Sequence, residues 1–80
     1  MFDTYKVYSK TGCPYCTKVI QVLTLAELPF IEYKLGQDFT RAEFYEEFGT
    51  GSTFPRVKLE DELIGGCTET VKYLKENDLV

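Results

Sequence analysis

The chain has no histidine. That removes Ser–His and Cys–His nucleophile pairs and every histidine-containing zinc site. Cysteine is scarce too: Cys13, Cys16 and Cys67 are the only three in 80 residues. An odd, small number makes a poor disulfide framework for a secreted scaffold. Basic residues are outnumbered, nine Lys and Arg against thirteen Asp and Glu, for a net charge of −4. A general binder of nucleic acid or anionic membrane needs a basic patch, so neither is expected as a partner. No apolar run approaches the ~18 residues of a transmembrane helix. The segment Met1-Phe2-Asp3-Thr4-Tyr5-Lys6 lacks the apolar core of a secretory signal. The expected compartment is therefore the cytoplasm, where thiols are kept reduced.

What the chain does have is apolar mass. Hydrophobic residues make up 44% and aromatics 15%, enough for one small domain, residues 1–80, to fold alone. A chain of this size buries roughly 60% of the surface its unfolded form exposes.

Local patterns place seven elements. Tyr5-Lys6-Val7-Tyr8 reads as a β-rich first strand, followed by a loop from Ser9 to Gly12. From Pro14 to about Ala26, the residues Cys16, Val19, Ile20, Val22, Leu23 and Ala26 recur at helical spacing. That puts Cys16 on the inner face and leaves Thr17, Lys18 and Gln21 towards water. Pro29 lies just beyond the break. Phe30 to Leu35 reads as a second strand, and Gly36 to Phe39 as a loop. Thr40 and Glu43 form a capping box for a short helix in which Phe44 and Phe48 share a face and Gly49 ends it. Arg56 to Leu59 and Glu62 to Ile64 read as a hairpin turning at Glu60-Asp61. Gly65-Gly66 allows a bend into a last helix, Thr68 to about Asn77, with Val71 and Leu74 inward. The order β-α-β-α-β-β-α gives an α/β fold: a four-stranded mixed sheet of order 2-1-3-4, the first and third helices on one face and the second on the other. Phe39, Phe44 and Phe48 read as core, and Glu43, Glu46, Glu47, Glu60, Asp61 and Glu62 as solvated faces.

The chemistry concentrates at Cys13-Pro14-Tyr15-Cys16. The stretch joins a strand to a helix, so Cys13 falls at the helix cap and Pro14 at the first helical position, where a missing N–H costs nothing. Unpaired amides and the positive end of the helix dipole favour a thiolate there. Cys16 is one turn further on, within reach of a disulfide formed on Cys13. Two thiols at this spacing also occur as packed or zinc-binding pairs. A structural zinc takes four ligands, however, and Cys67 is the only further thiol, so no metal is expected. Cys67 itself reads as a small residue packed at a helix start, with an extra redox thiol as the other reading.

The sequence resembles a short dithiol glutaredoxin of the thioredoxin fold. The resemblance rests on Cys13-Pro14-Tyr15-Cys16, on Thr53-Phe54-Pro55, on Ile64-Gly65-Gly66-Cys67, and on the element order around them. It implies a glutathione-dependent thiol–disulfide oxidoreductase, with glutathione as co-substrate and no permanently bound cofactor. Protein disulfides and glutathione mixed disulfides would be its substrates, and the protein would act as a monomer. Cys13 and Cys16 would be catalytic. Pro55 would be cis beside them, and Phe54 would pair its backbone with glutathione as an added strand. Thr53 and Tyr15 would line the groove, and Lys10 would favour the thiolate and meet the glycyl carboxylate. Cys67 and Thr68 would hold the γ-glutamyl carboxylate at the last helix N-terminus. Position 54 is usually valine in the family, and an Asp or Ser usually stands where Thr68 does. Glu69 is placed to supply part of the missing acid. Two other readings accompany this one. The first is an electron donor dedicated to one enzyme, such as ribonucleotide reductase. The second is a non-catalytic module that binds a partner or bridges an iron–sulfur cluster, against which Pro14 and Cys16 count.

Overall fold

A computed structural model describes residues 4–80. Met1 to Asp3, on which part of the leader reading rests, lie outside the described residues. The elements are β1 (Tyr5–Ser9), α1 (Pro14–Leu25), β2 (Phe30–Lys34), α2 (Arg41–Phe48), β3 (Arg56–Leu59), β4 (Glu62–Gly65) and α3 (Cys67–Glu76). The sheet order is β2-β1-β3-β4, as expected. β1 runs parallel to β2, with Tyr5 beside Phe30, and antiparallel to β3, with Val7 beside Val57. β3 and β4 form the antiparallel hairpin, and the chain turns through Glu60 at a left-handed φ of 54°.

Alternation along β1 separates two layers. Tyr5, Val7 and Ser9 are buried on one face. There, Tyr5, Val7 and Val57 pack with Val19 and Leu23 of α1 and with Cys67 and Leu74 of α3. Each fully buried Val or Leu contributes about 1.5–3 kcal/mol relative to exposure. On the other face the Tyr8 ring meets Phe48 of α2 at 4.9 Å, Phe39 at 5.3 Å and Tyr33 of β2 at 5.2 Å between centroids. Phe44, buried, lies 5.0 Å from Phe48. So α2 has the face opposite α1 and α3, and its contact with the sheet runs through rings.

Polar groups account for several of the differences from the sequence reading. β1 extends one residue to Ser9, whose buried hydroxyl donates to Glu32 Oε2 at 2.7 Å. α1 stops at Leu25, with Ala26 as its C-cap. β2 stops at Lys34, and Leu35 instead bridges Phe39. β4 includes Gly65. α3 starts at Cys67 because the Glu69 carboxylate accepts from the Gly66 N–H at 2.8 Å and makes Gly66 the cap. The inner face of α3 is Cys67, Thr70 and Leu74, with Val71 only partly buried. Thr70 is tolerated inside because its hydroxyl donates to the Gly66 carbonyl at 2.7 Å. Several of the acids read as solvated are exposed yet bonded: Glu47 takes the Lys58 ammonium at 2.7 Å, tying α2 to β3, and Glu60 accepts from the Thr4 N–H at 2.9 Å. The bond to Glu47 also raises the Lys58 pKa above its usual range.

Candidate active site

Cys13 is the N-cap of α1, in extended conformation, and Pro14 is the first helical residue. The chain reaches it through Gly12, whose φ of +73° favours glycine. Cys13 and Cys16 form a disulfide with Cα atoms 5.2 Å apart, inside the range that a disulfide spans without backbone movement. The Cys16 N–H donates to Cys13 Sγ at 3.2 Å. No acidic residue stands in the first turn of α1 to offset the positive end of the helix. The two sulfurs differ in access: Cys16 is buried at 3% exposure, while Cys13 is half-buried. The arrangement provides an accessible sulfur in an anion-favouring place and an inner sulfur already bonded to it.

A groove of about 430 Å³ brings together six of the seven residues assigned to glutathione: Tyr15, Thr53, Phe54, Pro55, Cys67 and Thr68. Neither Cys13 nor Cys16 lines it, although Tyr15 sits between them in the chain. The Phe54–Pro55 bond is cis, and Pro55 is buried. Phe54 lies outside every strand, and its N–H and C=O have no hydrogen-bond partner among the described residues. Its ring stacks on Phe44 at 4.1 Å, with the planes 13° apart, and more loosely on Phe39 at 6.1 Å. The extra bulk of this side chain is thus taken up by the α2 layer. Lys10 does not line the groove, but its ammonium lies 5.5 Å from the Phe54 ring centroid.

At the far wall, Cys67 and Thr68 occupy the first two positions of α3, Cys67 buried and Thr68 exposed. The first-turn amides of a helix have no partner within it. Burial pushes the Cys67 thiol pKa up, with Lys18 opposing the shift and Glu69 adding to it. Gly65 has a φ of +135°, and a Cβ there would stand 2.8 Å from Glu69 Cβ, so only glycine fits. Three further residues line it, Arg56, Gly66 and Glu69; only Glu69 was read as part of the site, as a substitute acid, and its carboxylate is taken by the Gly66 N–H. The spacing of Gly66 and Glu69, a cap followed three residues later by Glu, was a usable signal for that pair. Nothing comparable marked Arg56.

Comparison with known proteins gives one result at three levels. A family model described as Glutaredoxin matches residues 6–64. Glutaredoxin-1 of Oryctolagus cuniculus is 30% identical over 80 residues, covering 92% of this chain and 76% of the relative. Glutaredoxin 1 from Francisella tularensis, solved in complex with cacodylate, superposes with a TM-score of 0.78 at 32% identity, covering 96% of both chains. A buckwheat glutaredoxin, solved as its glutathione complex, superposes with a TM-score of 0.74 at 24% identity over 96% of this chain and 73% of that one, a likeness of fold.

Proposed function

Since the chain belongs to the glutaredoxin family of thiol–disulfide oxidoreductases, we propose that it reduces glutathione mixed disulfides and protein disulfides, with glutathione as the source of electrons. The observation that carries this reading is the groove beside the Cys13–Cys16 disulfide, where Tyr15, Thr53, Phe54, Pro55, Cys67 and Thr68 converge.

The Cys13 thiolate attacks one sulfur of the substrate disulfide. A Cys13–substrate bond forms, and the other substrate sulfur leaves as a thiolate and takes a proton from solvent. For a protein substrate, the Cys16 thiolate then attacks Cys13 Sγ. The Cys13–Cys16 disulfide forms and the second substrate thiolate is released, so the substrate gains two electrons. Two glutathiones restore the dithiol in successive exchanges and leave as glutathione disulfide. Glutaredoxin potentials of roughly −200 to −230 mV against a cytosolic glutathione poise of about −220 to −260 mV favour that last step by a small margin.

In this reading glutathione lies along the groove, its cysteinyl backbone pairing with the free N–H and C=O of Phe54. Its γ-glutamyl carboxylate meets the first-turn amides of α3 and the Thr68 hydroxyl. Lys10, on its perch over Phe54, faces the glycyl carboxylate. The test is reduction of a small glutathione mixed disulfide, coupled to glutathione reductase. Steady turnover that needs glutathione is the expected result, and none at any glutathione concentration would overturn the reading.

A further inference from the structure

The seam between α1 and α3 takes no part in the groove just described except at its mouth. From Tyr15 and Thr68, a second groove of about 380 Å³ runs between the helices over Val71, flanked by Lys18, Lys72 and Lys75. It continues past Val71 and Lys75 into a third depression with Leu25, Leu79 and Val80. Those three are 84%, 39% and 53% exposed. Twelve residues of α1 make the seam about 18 Å long.

Charge along the seam is the reverse of charge on the rest of the molecule. Lys18 is the only charged residue of α1. Lys18, Lys72 and Lys75 make no ion pair among the described residues, and Glu76 is the only acid on the wall. Six of the thirteen acids cluster elsewhere, around α2 at Glu43, Glu46 and Glu47 and on the hairpin at Glu60, Asp61 and Glu62, while Glu27 and Asp78 adjoin the apolar end. A chain of net charge −4 thus gathers three cations, without ion pairs among the described residues, in one channel that opens at Tyr15, between the two cysteines of the disulfide in the chain. Glutathione does not account for the channel, because an extended α-linked tripeptide spans about 11 Å, its γ-linkage adds only two bonds to that, and the groove at Phe54 is already assigned to one.

We propose that the α1–α3 channel docks the disulfide-bearing partner protein, and that the segment flanking its reactive cysteine is acidic near the cysteine and apolar beyond it. Acidic side chains meet Lys18, Lys72 and Lys75, and the apolar ones reach Leu25 and Val80. The attraction brings the partner disulfide to Cys13 and leaves the exchange chemistry unchanged. The inference rests on the reading that this centre reduces protein disulfides.

The experiment compares two synthetic peptides with the same intrachain disulfide, one followed by glutamates and then leucines, the other by lysines and then leucines. A small glutathione mixed disulfide is the control substrate. The expected result is a preference of about tenfold in kcat/KM for the acidic peptide at low salt, shrinking as salt shortens the reach of the charges. Lys72→Glu with Lys75→Glu reverses the preference, and Leu25→Gln raises KM for the acidic peptide. Turnover of the mixed disulfide stays within about twofold of wild type in both variants. Equal rates on the two peptides, or equal losses on peptide and mixed disulfide, overturn the docking proposal while the activity itself stands. No turnover of any of the three by the wild type removes the underlying reading and the docking proposal with it.

Discussion

The ammonium of Lys10 stands 5.5 Å above the ring of Phe54, and that ring is itself stacked on Phe44 of α2. A cation over an aromatic face is held by the ring quadrupole, by about 0.5–1 kcal/mol at an exposed site. The charge beside the redox centre is therefore anchored through a side chain that also packs into the layer behind it. Phe54→Leu removes both the stack and the perch. It should destabilise the fold by about 0.5–1.5 kcal/mol, read as a lower urea midpoint, and raise the KM for glutathione. Phe54→Tyr keeps the ring and should restore both. If the leucine variant matches wild type in both measurements, the ring anchors nothing.

The two active-site sulfurs should titrate apart. Cys13 caps α1 and accepts the Cys16 N–H, while Cys16 is buried on the inner face. Alkylation rate against pH in Cys16→Ser should give a midpoint well below that of an ordinary thiol, about 8.5. In Cys13→Ser the midpoint should lie higher. Coincident curves would remove the assignment of nucleophile and resolving thiol.

Substrate size should separate the same two residues. A glutathione mixed disulfide needs one thiolate, because a second glutathione can clear Cys13. A protein joined to Cys13 is cleared best from within, by a sulfur already in place, since effective concentrations of well-placed groups reach about 10⁵ M or more. Cys16→Ser should keep most activity on the small substrate and lose most on protein disulfides. Cys13→Ser should lose both. Equal failure of Cys16→Ser on both substrates would point to a thioredoxin-like donor that makes little use of glutathione.

At the start of α3 the carboxylate of Glu69 already occupies the Gly66 amide, so a bound carboxylate must share the helix end with it. Glu69→Ala should lower stability by about 0.5–1.5 kcal/mol, the net worth of one hydrogen bond, yet tighten glutathione binding. Thr68→Ala should weaken binding by a similar amount without abolishing it, because backbone amides remain. Isothermal titration of both variants checks the opposite signs.

Cys67 should be silent at neutral pH. Its thiol is buried and its pKa lies above the ordinary range. A group raised in the folded state contributes stability that is complete below the unfolded value, about 8.5, and is lost as pH rises through the folded one. With Cys13 and Cys16 held as the disulfide, iodoacetamide should modify Cys67 slowly at pH 7 and quickly in denaturant. Fast labelling of the folded protein would show the thiol to be accessible.

The element order, the strand order and the cap positions of Cys13 and Thr40 were legible because each rests on local signals that agree: apolar period, a cap residue, a proline or glycine at the right place. What was not legible involves polar groups tied to distant or backbone partners. Ser9 looked like loop until Glu32, on the neighbouring strand, supplied its acceptor. Thr70 was not counted on the inward face of the last helix, where the Gly66 carbonyl takes its hydroxyl. Glu47 looked solvated, and only the fold brings Lys58 to it. In the site, the residue types were legible through family likeness. That Phe54 turns its ring into the α2 layer, with Lys10 above it, depends on Phe39 and Phe44 lying where they do, and no short-range pattern states that.

The layer of rings between α2 and the sheet acts as a shim. Its thickness is set by Tyr8, Phe39, Phe44 and Phe48, none of which belongs to the redox centre. Phe54 is the ring that joins the layer to the groove. Exchanging a layer ring for a smaller or larger side chain would move Phe54, and with it the groove wall and the Lys10 charge, while Cys13 and Cys16 stay where α1 holds them. The groove wall and the placement of the two sulfurs are therefore set from opposite sides of the same sheet.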